Sequence, residues 1–69
     1  MTLEELKKKY KALSDIHAER GKSYEAKGDK EREQGNFDYA KLYYDMGTEE
    51  FKKSTIYTQF VNDLNKVTK

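Results

Sequence analysis

Apolar side chains in the first half of the chain recur at spacings of three, four and seven residues, with charged residues between them. The series is Leu3, Leu6, Tyr10, Leu13, His17 and Tyr24. These spacings place the side chains on one face of an α-helix. Thr2 stands three residues before Glu5, which is the spacing of a capping box at a helix N-terminus. Residues 27–34 do not continue the apolar stripe, but most of them are good helix formers. We therefore predict a helix over residues 2–34.

The dipeptide Gly35-Asn36 interrupts the pattern. Glycine is common just beyond the end of a helix, and asparagine is common at the start of the next one. A second periodic region follows and predicts a helix over residues 37–67. The sequence therefore predicts an all-α fold, a long antiparallel helical hairpin with its turn at residues 35–36, in which residues 1–69 form a single domain.

The second predicted helix carries two apolar stripes rather than one. The first stripe is Phe37, Ala40, Tyr44, Gly47 and Phe51, and the second is Tyr39, Tyr43, Met46, Tyr57, Phe60, Leu64 and Val67. Two stripes on one helix indicate more than one packing partner. We predict that Tyr39, Tyr43 and Met46 form a partner-binding face, since tyrosine is favoured at protein interfaces. The alternative is that these three side chains only flank the core.

Three glycines lie inside the predicted helices, at positions 21, 28 and 47. Each costs about 1 kcal/mol relative to alanine in a helix interior. One interpretation is a break near Gly21, which would give a three-helix bundle. The other is close packing, because a hairpin turning at residues 35–36 places Gly47 opposite Tyr24 and Gly28 opposite Tyr43 or Tyr44. We favour the packing interpretation, since small residues facing large ones let helices approach closely.

The composition makes an isolated hairpin marginal. A domain of 69 residues buries only about 60% of the surface of its unfolded chain, and small scaffolds usually need additional support. There is no cysteine and only one histidine, His17, so we expect no disulfide, no metal site and no cofactor. A second copy of the chain is the natural support, and a dimer would form a four-helix bundle.

Charge and hydropathy argue against two other settings. Charged residues make up 39% of the chain, yet the net charge is only +1, so no strong field favours DNA or an anionic membrane. No apolar run approaches the roughly 18 residues of a membrane span, and the N-terminal lysines precede no apolar segment of the kind found in signal peptides. We expect a cytoplasmic protein that does not enter the membrane.

The most basic run of the chain is Lys7-Lys8-Lys9-Tyr10-Lys11. Lys7, Lys8 and Lys11 are candidate phosphate contacts, because small helical hairpins can grip nucleic-acid backbones through such lysines. Nearby Glu4 and Glu5 offset part of this charge. A nucleic-acid-binding hairpin is therefore the alternative function.

The segment from Gly35 to Gly47 resembles the turn and second helix of a tetratricopeptide motif. Its matching positions are Phe37, Ala40, Tyr44 and Gly47 after the turn, with Tyr24 and Gly28 in the preceding helix. The resemblance covers about a third of the chain and implies a local helical hairpin. The chain holds one such motif, whereas tetratricopeptide arrays need about three repeats. A similar glycine-tyrosine-alanine pattern occurs in three-helix microtubule-interacting-and-trafficking domains, which would accompany a break at Gly21.

These observations favour a non-enzymatic protein, because no nucleophile is placed beside the single histidine. We expect a protein–protein interaction module, an adaptor or an inhibitor that occludes or bridges a partner. Its size and composition suit a protein encoded by a phage or mobile element. The expected partner is another protein or a second copy of the chain, and nucleic acid is the less favoured alternative.

Overall fold

Two long helices lie side by side in the computed structural model, which describes residues 1–67. Helix α1 spans Leu3–Glu33 and helix α2 spans Phe37–Val67. They run antiparallel in a rod of 52 × 14 × 13 Å, and the described residues contain no strand. The predicted all-α helical hairpin is confirmed. The alternative of a third helix is wrong, because α1 continues through Gly21 without a break.

The first helix begins and ends where local sequence signals place it, one residue inside the predicted bounds. The backbone N–H of Glu5 donates to the Thr2 hydroxyl at 3.1 Å, so Thr2 caps the N-terminus. Gly35 has a φ of +82°, a conformation that favours glycine. Its N–H donates to the Arg32 carbonyl, and the N–H of Asn36 donates to the Glu31 carbonyl. This pair of bonds is a Schellman motif, which satisfies carbonyls left open at the helix end.

The turn is also held by side chains. The amide nitrogen of Asn36 donates to the Glu31 carboxylate at 2.8 Å. The backbone carbonyl of Asn36 accepts from the N–H of Ala40 at 3.0 Å, which forms the first turn of α2. Glu31, near the C-terminal end of α1, therefore holds the turn through both its backbone carbonyl and its side chain.

Aromatic rings pack directly on helical glycines along the interface. A Cβ added at Gly21 would lie 2.8 Å from the Phe51 ring, and one at Gly28 would lie 2.6 Å from the Tyr44 ring. Both distances are shorter than any ordinary carbon contact. The rings occupy the space that any other side chain would fill, which is why α1 carries glycine at both positions despite its low helix propensity.

The backbones of the two helices approach each other closely at Gly47. A Cβ on this residue would lie 3.1 Å from the Gly21 carbonyl oxygen and 3.4 Å from the Cβ of Tyr24. The predicted pairings of Gly47 with Tyr24 and of Gly28 with Tyr44 are therefore observed. Since α2 continues through Gly47, this glycine serves close packing rather than helix termination.

The middle of the interface is polar. The hydroxyl of Ser14, a buried residue, lies 2.7 Å from the Thr58 hydroxyl and donates to the Ser54 carbonyl at 3.0 Å. Counting from the turn at residues 35–36 predicts that Ser54 faces His17, but the histidine Nδ1 contacts the Glu50 carboxylate at 2.5 Å instead. The offset is close to one helical turn, because positions four residues apart lie on the same face of α2.

The open end of the hairpin is held by stacked rings. The ring of Tyr57 stacks between those of Tyr10 and His17, at centroid distances of 5.8 and 5.6 Å. Phe60 packs against both Tyr10 and Tyr57. Such pairs stabilise the interface beyond the contribution of the area that they bury.

Two helices cover little of each other. Ala40 is the only apolar residue that is buried among residues 1–67, and no large side chain in that range is fully enclosed. Nearly all large apolar side chains therefore retain exposed area, and the distribution of that area decides where a partner would fit. Neither helix has a stretch that is long and apolar enough to cross a membrane.

Candidate interaction surface

The three side chains predicted to form a partner-binding face are not equivalent. Tyr39 is 62% exposed and Met46 is 38% exposed. Tyr43 is half-buried, and its ring stacks on that of Tyr24 with centroids 6.4 Å apart. Tyr43 thus belongs partly to the interface between the helices and offers only the remainder of its ring to a partner.

Leu42 belongs to the same surface and was missed in the sequence analysis. It is 54% exposed and lies three residues after Tyr39 and four before Met46. The signal was present, since positions 39, 42 and 46 have the three–four spacing of a helical stripe. The two predicted stripes follow mainly the aromatic residues, and therefore they do not include Leu42.

The exposed surface extends along almost the whole of α2 with the same spacing. We call it the outer stripe, and its members are Tyr39, Leu42, Met46, Glu49, Lys53, Ile56 and Phe60. Ile56 and Phe60 are 52% and 42% exposed. The two charged members stand between two apolar ends. Asp63 and Val67, both exposed, continue the spacing to the end of the helix.

The position of the outer stripe follows from helical geometry. Ala40 and Gly47 face α1 and are buried. Tyr39 and Met46 each precede one of these residues, so they are rotated from the interface by about 100°. Helix α1 lies too far around α2 to cover them, which leaves the stripe open to solvent.

The lysines near the N-terminus lie among acidic residues. The Lys7 ammonium is 3.3 Å from the Glu4 carboxylate, and its side chain is only 15% exposed. Lys8 and Lys11 are exposed, but their spacing puts them on one helical face with Glu4 and Asp15. The structure therefore places the three candidate phosphate contacts in a surface of mixed charge.

A polar hollow lies on the other side of the hairpin. The Tyr44 hydroxyl donates to the Asp29 carboxylate at 2.5 Å, and Arg32 lies 3.8 Å from the same carboxylate. The hydrogen bond to Asp29 raises the pKa of Tyr44 above its ordinary value of 10.0, because it favours the protonated phenol. The hydroxyl therefore stays a donor at neutral pH and links the end of α1 to α2.

The His17 and Glu50 pair is the most enclosed contact between titratable groups in the described residues, with side chains 12% and 13% exposed. Donation from His17 lowers the pKa of Glu50 below its ordinary value of 4.5, with assistance from Lys53. The His17 ring also stacks on Tyr57. Both contacts lie within the hairpin, which is typical of a structural histidine. Residues 1–67 contain no group of three or more histidine or acidic side chains arranged to hold a metal ion.

No protein-family model matches the chain, and comparison with curated proteins and with solved structures found no significant match.

Proposed function

We propose that the protein is a non-enzymatic protein–protein interaction module that binds its partner through the outer stripe of α2. The observation that carries the proposal is two groups of exposed apolar side chains on one face of α2, Tyr39 to Met46 at one end and Ile56 and Phe60 at the other. Apolar side chains that are grouped on an exposed face often mark an interaction site. A partner groove or helix that binds such a face contacts side chains that are three and four residues apart.

This geometry supports an adaptor or inhibitor role. A rod about 50 Å long with its apolar row on one side can cover an extended surface of a partner or bridge two partners. The single tetratricopeptide-like hairpin supports this role through its shape. A peptide-binding groove would require stacked repeats, so we propose binding by the outer stripe of α2 instead.

Nucleic-acid binding through Lys7, Lys8 and Lys11 has weaker support. Phosphate contacts need an excess of positive charge, and binding then falls steeply with salt. Glu4 already pairs with Lys7, and the net charge of the chain is +1. A single-stranded or duplex oligonucleotide that binds the purified protein at physiological salt, and is released at high salt, would favour this alternative.

The test is site-specific photo-crosslinking in the cells that produce the protein. A photoreactive amino acid at Leu42 should give crosslinks to protein, because this side chain is the most exposed aliphatic group within the stripe. The matched control is the same amino acid at Ala26, an exposed position on α1. Equal or absent crosslinking at the two positions would refute the outer stripe as the interaction surface.

A further inference from the structure

The charges of the outer stripe indicate what covers it. The positions repeat at seven residues: 39, 46, 53 and 60 form one row, and 42, 49 and 56 form the other. This is the heptad arrangement by which one helix packs along another. Two charged residues of opposite sign, Glu49 and Lys53, occupy its centre. A partner must therefore place an acid opposite the lysine and a base opposite the glutamate.

We propose that the partner is a second copy of this chain, packed with its α2 antiparallel to the first α2. This proposal rests on the outer stripe being an interaction surface. In an antiparallel helix pair related by a two-fold axis, the numbers of two facing residues always add up to the same value. With a two-fold axis beside residue 51, Glu49 faces Lys53 of the partner copy, and Lys53 faces Glu49 of the partner copy. The ion pair is thus formed twice.

The same register matches the apolar ends. Met46 faces Ile56 of the second copy, and Leu42 faces its Phe60. Each match occurs twice, so both apolar ends of one stripe are covered by those of the other. The axis lies near the middle of α2, which spans Phe37–Val67, so the two helices overlap along nearly their full length.

The end of the stripe also agrees. Tyr39 faces Asp63 of the second copy, where a phenol can donate to a carboxylate. The hairpin already uses this pairing between Tyr44 and Asp29. Every position from 39 to 63 along the stripe therefore meets a residue of complementary chemistry in this one register.

Other arrangements of two copies are less favourable. A parallel pair in register sets Glu49 on Glu49 and Lys53 on Lys53, and like charges in contact are destabilising. If the antiparallel helices are shifted by half a heptad, the two-fold axis lies at residue 53, and Lys53 then faces Lys53 of the second copy. Within one chain Glu49 is 3.4 Å from Lys52, but both side chains are about two-thirds exposed, and such surface pairs contribute little. Glu49 is free to exchange this contact for Lys53 of the second copy.

The central ion pairs select orientation more than they add affinity. A polar pair inside an apolar helix contact specifies register at some cost in stability. The affinity comes from the apolar ends on either side. The dimer supplies what a 69-residue hairpin with few buried side chains lacks, which is a second layer of helix over its exposed apolar face.

Sedimentation equilibrium of the full chain over a range of concentrations tests the proposal. We expect the mass to rise from 8.2 kDa to twice that value. Glu49→Lys and Lys53→Glu should each raise the dissociation constant at least about tenfold, because each creates two like-charge contacts. An equimolar mixture of the two variants should dimerise again, and so should the chain that carries both changes. Lys41→Glu, on an exposed position outside the stripe, is the control and should leave the mass unchanged.

Cysteine substitutions report the orientation directly, because the chain contains no cysteine. A mixture of Met46→Cys and Ile56→Cys chains should form disulfide-linked dimers faster than either variant alone. Faster linkage of Met46→Cys with itself would contradict the antiparallel arrangement. A wild-type chain that stays monomeric at every concentration would overturn the dimer. If crosslinks from Leu42 still reach a different protein in that case, the outer stripe stands as an interaction surface with another occupant.

Discussion

Replacing Gly47 with alanine should destabilise the hairpin, although alanine is the better helix former. The substitution gains about 1 kcal/mol in helix propensity. The new methyl carbon would lie 3.1 Å from the Gly21 carbonyl oxygen and 3.4 Å from the Cβ of Tyr24. Neither neighbour can rotate away, because one is backbone and the other is fixed to it. The helices must therefore move apart by a few tenths of an ångström at this point.

This separation loosens the contacts on either side, above all the packing of Phe51 on Gly21. Overpacking of this kind costs typically 1–3 kcal/mol, which exceeds the gain in propensity. We expect a net loss of about 1 kcal/mol, equivalent to a fall in Tm of about 4–8 °C for a domain of this size. Thermal and urea unfolding followed by circular dichroism measure this change. Both proteins must be compared at one concentration, because association with a second copy would raise the apparent stability.

The control for this measurement is Ala26→Gly on the exposed face of α1. It reports helix propensity without packing and should lower stability by about 1 kcal/mol. If Gly47→Ala raises stability by a similar amount, then the methyl group meets no resistance, and the close approach of the two helices at this point is wrong.

Three further predictions concern contacts between the helices. Gly21→Ala should destabilise the wild-type hairpin but stabilise a Phe51→Leu variant, because the Phe51 ring supplies the closest contacts to a Cβ at position 21; a double-mutant cycle measures this coupling. Ser14→Ala should cost about 1 kcal/mol in urea unfolding, because it leaves hydroxyls between the helices without a partner, and an unchanged midpoint would refute this role. The pKa of Glu50 is lower in the folded state than its ordinary value of 4.5, so its contribution to stability is complete above that pH and is lost as the pH falls through the folded pKa. Glu50→Gln should therefore lose less stability than the wild type on acidification below about 4.5, as seen in melting curves recorded at a series of pH values, whereas parallel pH profiles would contradict the His17 contact.

Local signals determined the two helices and the turn. The capping spacing from Thr2 to Glu5 and the Gly35-Asn36 dipeptide act through atoms that are near in sequence, so each can be interpreted without knowing the rest of the fold. A hairpin with one short turn also has little freedom of register. Counting from the turn was therefore enough to pair Gly47 with Tyr24 and Gly28 with Tyr44.

The hydrogen-bond partners of the polar side chains could not be predicted from residue positions relative to the turn. Positions three or four residues apart on one helix face the same side, so Ser54 and Glu50 were equally placed to meet His17. Only the packed helices decide that Glu50 meets the histidine while Ser54 meets Ser14.

The tertiary structure also decided which residues of the second stripe are exposed. Tyr39, Tyr43 and Met46 share one face of α2 by sequence spacing, and the spacing gives no reason to separate them. The Tyr24 ring reaches from α1 across the side of α2 and takes Tyr43 into the interface. Tyr39 and Met46 stay exposed together with Leu42, because no ring of α1 extends as far around the helix. Sequence periodicity determines which residues share a face, whereas the size and reach of side chains on the neighbouring helix decide which of them solvent, or a partner, can still contact.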